Sequence, residues 1–143
     1  MIAVDTNILI HAHRKDASLH KEAVECIREL AENPATWCVC FHSLVEFYGV
    51  VTHPRIWSVP STAEQVVDQT RAWRESPSLR ILTEKAEQIE DLGRLAIQSK
   101  TVGPRIHDAR IASCCLVNGV RELWTIDRDF SRFSELKARN PLV

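Results

Sequence analysis

Short apolar runs alternate with longer amphipathic stretches along this chain, and the alternation predicts strands separated by helices. Ile2 to Val4 is short, apolar and partly β-branched, as a fully buried strand should be. Thr36 to Phe41, the brief Leu79 to Leu82 and Leu123 to Ile126 also read as strands, and the tail from Leu136 to Val143 is a candidate edge strand. Between them the apolar positions recur at helical spacing. Thr6 or Asn7 can cap a short helix running to about His13. With Ser18 as a candidate cap, Leu19 to Glu32 aligns Ala23, Ile27, Leu30 and Ala31 on one stripe, and Asn33-Pro34 ends it. Ser43 to about Thr52 is apolar nearly all round, which predicts a buried helix. Ser61 or Thr62 caps a helix toward Ser76, with Glu64 three residues after Ser61 as in a capping box. Thr83 caps Glu84 to about Ser99, turning Ala86, Ile89, Leu92, Leu95 and Ala96 to the core. Gly103-Pro104 is a break, and Asp108 to Val117 is a last helix closed by Asn118-Gly119. The expected fold is α/β, a mostly parallel central sheet flanked by helices, in one domain over residues 1–143.

Four acidic residues interrupt this pattern where apolar ones belong. Asp5 closes the first strand, Glu46 sits inside Leu44-Val45-Glu46-Phe47-Tyr48, Asp108 opens a helix on the face of Ile111, Ala112 and Cys115, and Asp127 follows Leu123 to Ile126. A buried, unpaired carboxylate costs several kcal/mol or shifts its pKa far upward. Glu46 has no Lys or Arg within four residues to pair with. Asp5 and Asp127 end their strands on the side where open α/β sheets bind ligands. Each acid has a plain alternative as a helix cap, a first-turn acid or a turn former. Asp129 rivals Asp127 as the fourth acid, although Asp127 shares a strand face with Thr125 and Asp129 is better placed to pair with Arg128 or Arg132. Taken together, the four imply one shared remedy, a divalent cation facing them all. Asp5-Thr6-Asn7 supplies further oxygen donors in one turn.

Composition narrows the picture. A net charge of −1 announces no polyanionic partner, so cationic contacts must be local: Arg14, Lys15, Arg71, Arg74, Arg105, Arg110 and Arg128 are candidates. Trp57, Trp73 and Trp124 are candidate base-stacking residues, Trp124 being the most core-like. The odd set Cys26, Cys38, Cys40, Cys114 and Cys115, without a secretory signal, predicts reduced, buried thiols and a cytoplasmic protein. Spacing argues against a zinc site from Cys38, Cys40, His42 and His107. No apolar run is long enough to span a bilayer.

Asp5-Thr6-Asn7 after an N-terminal strand, Glu46 in an apolar helix, His107-Asp108-Ala109 opening another, and Thr125-Ile126-Asp127-Arg128-Asp129-Phe130 near the end together resemble a PIN domain, of the kind found in VapC-type ribonuclease toxins of type II toxin–antitoxin modules. The likeness follows the family's order along essentially the whole chain. It implies a PIN-like three-layer fold. It also implies a Mg²⁺-dependent endoribonuclease, with Mn²⁺ as the other candidate ion, acting on RNA, inhibited by a cognate antitoxin and dimeric. Asp5, Glu46, Asp108 and Asp127 carry over as the catalytic and metal-binding acids, with Asp5 and Asp108 as the main ligands. The segment Arg55 to Trp73 is a candidate resting place for an antitoxin helix. Two rivals remain: a non-catalytic cation-binding regulatory or RNA-binding module, and a receiver-like α/β domain, which Glu46 inside a helix fits poorly.

Overall fold

The computed structural model describes all 143 residues. Five strands form one sheet: β1 (Ile2–Val4), β2 (Trp37–Cys40), β3 (Leu79–Leu82), β4 (Glu122–Trp124) and β5 (Lys137–Arg139). Their order is β3-β2-β1-β4-β5 and every pairing is parallel. Six helices cover the two faces: α1 (Thr6–His13), α2 (His20–Glu32), α3 (Phe41–Val51), α4 (Ala63–Arg74), α5 (Gln88–Gln98) and α6 (Ile106–Val117).

The central strands β1 and β2 are apolar throughout because neighbouring residues serve opposite faces, whereas β3, β4 and β5 carry Arg80, Glu122, Lys137 and Arg139. Ala3, Cys38, Cys40 and Leu123 point into one core, against Leu95 of α5 and Ala109, Ile111, Ala112 and Cys115 of α6. Val4, Trp37 and Val39 point into the other, against Ile8, Leu9, Ala23, Ile27, Leu30, Phe47 and Trp73 on α1 to α4. Two cores around one sheet make the three-layer arrangement. Deleting a side chain such as Leu123, which is fully buried, would cost about 2–5 kcal/mol.

Several boundaries differ from expectation for identifiable reasons. Asp5, rather than Thr6 or Asn7, is the cap of α1. Ser18 caps nothing; α2 begins without a side-chain cap. The capping box of α4 is Thr62 with Gln65, each bonding the other's backbone N–H, not Ser61 with Glu64, because Ser61 is drawn inward by Arg14 and His13. Helix α5 starts at Gln88, four residues late. Gln88 takes the inward position by donating to Ser113 Oγ at 3.0 Å, which leaves Ala86 and Ile89 in solvent. Helix α3 is not buried all round: Phe47 and Val51 face the core, whereas Phe41, Val45 and Tyr48 are exposed.

Candidate active site

Five parallel strands bring their carboxyl ends to one edge, so residues just after β1 and β4 must meet there. The Asp5 N–H donates to the Trp124 carbonyl at 2.9 Å, extending the β1–β4 pairing to the first acid. Asp5 is 6% exposed, and both its oxygens are engaged. Oδ1 accepts the Thr6 N–H at 2.8 Å; Oδ2 accepts the Thr125 hydroxyl at 2.8 Å and the Asn7 amide at 3.3 Å. Asn7 also donates to Thr125 Oγ1, and its carbonyl accepts the Ile126 N–H. Thr125 Oγ1 in turn accepts the Asp127 N–H at 3.0 Å. The ends of β1 and β4 are thus stitched by one polar network with the Asp5 carboxylate at its centre.

That carboxylate has no Lys or Arg partner. Burial pushes it up to about 6 from its usual 3.8, against the opposing hydrogen bonds from Thr125 and the Thr6 N–H, and the nearby carboxylates of Glu46 and Asp108 push in the same direction. Glu46, on α3, accepts the Thr6 hydroxyl at 3.1 Å. Its side chain is 38% exposed, so it is half-open at the rim rather than buried. Its neighbour is His42, with Nε2 at 3.7 Å; burial and Arg110 hold the His42 pKa down, so the contact is not an ion pair at neutral pH.

Asp108 lies in the first turn of α6, half-buried. Burial raises its pKa, Arg132 opposes the rise, and Asp127 and Asp129 add to it. Arg132 reaches Asp108 Oδ2 at 3.3 Å. Asp127 accepts the Asp129 N–H at 2.9 Å and so caps the 3-10 helix Arg128–Arg132. The Asp129 carboxylate pairs with Arg105 rather than Arg128 or Arg132 and points to the exterior, while the Arg132 side chain reaches Asp129 only at its backbone carbonyl, at 3.2 Å.

All four acids therefore sit at one end of the sheet, where Glu46 and Asp108 press on Asp5 and Asp127 presses on Asp108. They are not closed into a cage: no three acid, His or Cys side chains converge at metal-ligand distance, and Asp108 turns to Arg132 instead. The donor set still fits a hard cation. It is made of oxygens, and Asp5 is a buried carboxylate held open by neutral donors with no cation of its own.

Other candidates fall away. Arg14 is buried, paired with Asp16 and bonded to the Val59 carbonyl and Ser61, and it lies 4.2 Å over the Trp57 ring, so it is structural. Arg105 and Arg110 are paired with Asp129 and Glu84. Trp73 is core, packed on Phe47. The largest cavity, about 660 Å³, lies between the end of α1 and α4, where His13, Ser61 and Gln69 satisfy one another; it is remote from the acids. Sequence reasoning missed Thr125 as the hydroxyl that orients Asp5 and Arg132 as the partner of Asp108. The Thr125-x-Asp127 alternation carried a signal for the first; nothing local marked the second.

The family profile of the PIN domain matches residues 2–136. The chain belongs to the PIN-domain family. This PIN domain is 24% identical over 137 residues to Ribonuclease VapC48 of Mycobacterium tuberculosis, covering 96% of the chain and 94% of the relative. It is 29% identical over 142 residues to Ribonuclease VapC43 of the same organism, covering 99% and 96%. In fold it matches the crystal structure of M. tuberculosis VapC20, described as a sarcin–ricin loop cleaving toxin, with a TM-score of 0.69 at 21% identity over 96% of this chain and 99% of that one. It also matches VapBC2 from Rickettsia felis, solved bound to a DNA fragment from its promoter, with a TM-score of 0.70 at 23% identity over 98% of each chain.

Proposed function

We propose that this PIN domain is a metal-dependent endoribonuclease, the toxin of a type II toxin–antitoxin pair, formed as one domain over residues 1–143. The observation that carries the reading is Asp5: buried, unpaired by any cation, pressed by Glu46 and Asp108, and aimed by Thr125 and Thr6. The names of its relatives support ribonuclease chemistry, and neighbours solved as VapBC assemblies support an antitoxin partner.

Asp5 and Asp108 would hold Mg²⁺, or Mn²⁺, with Glu46 and Asp127 completing the acidic set. A bound divalent ion supplies a water of lowered pKa and offsets charge developing on a phosphodiester. The residues contribute preorganisation. Thr125, Asn7 and the Thr6 N–H fix the Asp5 carboxylate in one orientation before substrate arrives, and the Thr6 hydroxyl does the same for Glu46. Arg132 opposes the burial that raises the Asp108 pKa.

Exposed apolar residues suit protein partners. Phe41, Val45 and Tyr48 on α3, with Ile56, Val59 and Val67 beyond it, offer surface for an antitoxin or a second copy in a homodimer. Five free, buried cysteines agree with a cytoplasmic setting, and no helix is long and apolar enough to cross a membrane.

The test is cleavage of a structured RNA by the purified chain in Mg²⁺, Mn²⁺ or EDTA. Metal-dependent cuts are expected, with a loss of at least about 100-fold for Asp108→Asn. Wild-type rates from Asp108→Asn would remove that residue from the site. A second reading, a non-catalytic module, draws on the Asp108–Arg132 pair, which already satisfies one of the acids; absence of cleavage across several RNAs with metal bound would favour it.

A further inference from the structure

Two imidazoles stand beside the acids, and the metal chemistry leaves both unused. His42 lies in the first turn of α3, one helical turn before Glu46, and its Nε2 is 3.7 Å from Glu46 Oε1. His107 lies in the first turn of α6 and immediately precedes Asp108. The ring centroids are 5.6 Å apart and the planes are 19° from parallel. At that separation near-parallel rings are slipped past one another, an arrangement that aromatic quadrupoles favour. The pair therefore bridges α3 and α6 at the carboxyl edge of the sheet, with one acid next to each ring.

The two rings differ in exposure. The His42 side chain is 13% exposed, and its Nε2 is buried without a hydrogen-bond partner, so this ring is the fixed base of the pair. His107 is exposed. One face of its ring is turned to His42 and the other is open. The tryptophans that first suggested themselves for stacking are committed elsewhere: Trp73 packs on Phe47, Trp57 lies under Arg14 and Trp124 lies under Arg139. Arg110, one turn beyond His107 on α6, is paired with Glu84, which leaves the ring face as the contact this rim offers. Every nucleobase has a π face, and proteins hold single-stranded RNA by laying bases on such rings, histidine included. Because His107 is the chain neighbour of Asp108, a base resting on it belongs to a nucleotide next to the bond being cut.

Resting on the nuclease reading above, we infer that the open face of His107, backed by His42, stacks a nucleobase of single-stranded RNA beside the scissile phosphate. His107 is a substrate-positioning residue that acts through its flat ring rather than its nitrogens. Its loss should weaken binding without altering the chemical step.

The test is steady-state cleavage of a single-stranded RNA by the full chain carrying His107→Ala, compared with His107→Phe. Alanine is expected to raise KM about tenfold with kcat within about twofold. Phenylalanine keeps a flat ring without the nitrogens and should hold KM within about threefold of the wild type. His53→Ala, which removes an exposed imidazole beyond the far end of α3, should change neither. An RNA lacking the stacked base should cost the wild type as much as His107→Ala does, and the two losses should not add. An unchanged KM in His107→Ala, a phenylalanine variant as impaired as alanine, or additive losses overturn the inference while leaving the nuclease reading standing. If the wild-type chain cuts no RNA, the nuclease reading falls instead, and NMR of the chain with an RNA dinucleotide still decides the stack. Nuclear Overhauser effects between base protons and the His107 ring support it, and their absence at millimolar dinucleotide overturns it.

Discussion

Replacing Asp5 by Asn should make the metal-free protein more stable at neutral pH and less stable in acid. The carboxyl titrates at about 6 in the fold, above its ordinary 3.8. A raised carboxyl contributes stability that is fully present below about pH 4 and is lost as the pH climbs through 6. The gap is worth about 3 kcal/mol, and solvent does little to screen it because the residue is 6% exposed. Asparagine carries no charge to bury, but its amide meets the Thr125 hydroxyl and the Asn7 amide where an acceptor stood. One lost hydrogen bond costs about 1 kcal/mol. In EDTA near pH 7.5 the variant should therefore gain about 2 kcal/mol, or about 6–8 °C in Tm for a chain of this length. Near pH 4 it should lose about 1 kcal/mol. Urea titrations of both proteins at the two pH values measure this directly. Parallel pH dependence in the two would falsify the account of Asp5 as a destabilised carboxylate. Saturating Mg²⁺ should then stabilise the wild type far more than the variant.

Three other substitutions probe separate parts of the fold. Ser43 is fully buried with its hydroxyl unbonded, so Ser43→Ala should raise stability by about 1 kcal/mol, and a lower urea midpoint would show that the hydroxyl has a partner. Thr62→Ala removes the capping box of α4 and should cost about 1 kcal/mol by the same measurement; a loss within error would mean the box contributes nothing. Arg132→Gln removes the cation that opposes the raised pKa of Asp108, so the acid limb of the RNA-cleavage pH profile should move to higher pH, and an unmoved limb would separate Asp108 ionisation from activity.

The sheet was legible because its signal is local. Ile2 to Val4 and the run around Trp37 to Cys40 are apolar on consecutive positions, as strands covered on both faces are, and Leu79 to Leu82 keeps the apolar type apart from Arg80 at the sheet edge. Helix starts were harder, because caps are chosen by tertiary competition. Ser61 is as good a cap by type as Thr62, but Arg14 and His13 claim it, and Gln88 displaces Ile89 from the inner face only because Ser113 stands opposite. Strand β4 ends two residues before its apolar run does, although the Thr125 N–H still reaches the Arg139 carbonyl while its hydroxyl bonds Asp5 and Asn7. At the site, the acids stood out against apolar neighbours. The groups that orient and counter them did not, because Thr125 and Arg132 lie 120 and 24 positions from Asp5 and Asp108.

The order of the sheet also has a bearing on when the acidic site can form. The strand synthesised first, β1, sits in the middle, and its second neighbour, β4, comes from residues 122 to 124. Until the ribosome has made that late segment, one flank of β1 stays bare and the Asp5 carboxylate lacks its Thr125 clasp. A chain that lacks β4 thus exposes an unpaired strand edge. The site is therefore assembled only when the β4 segment pairs with β1, and not before.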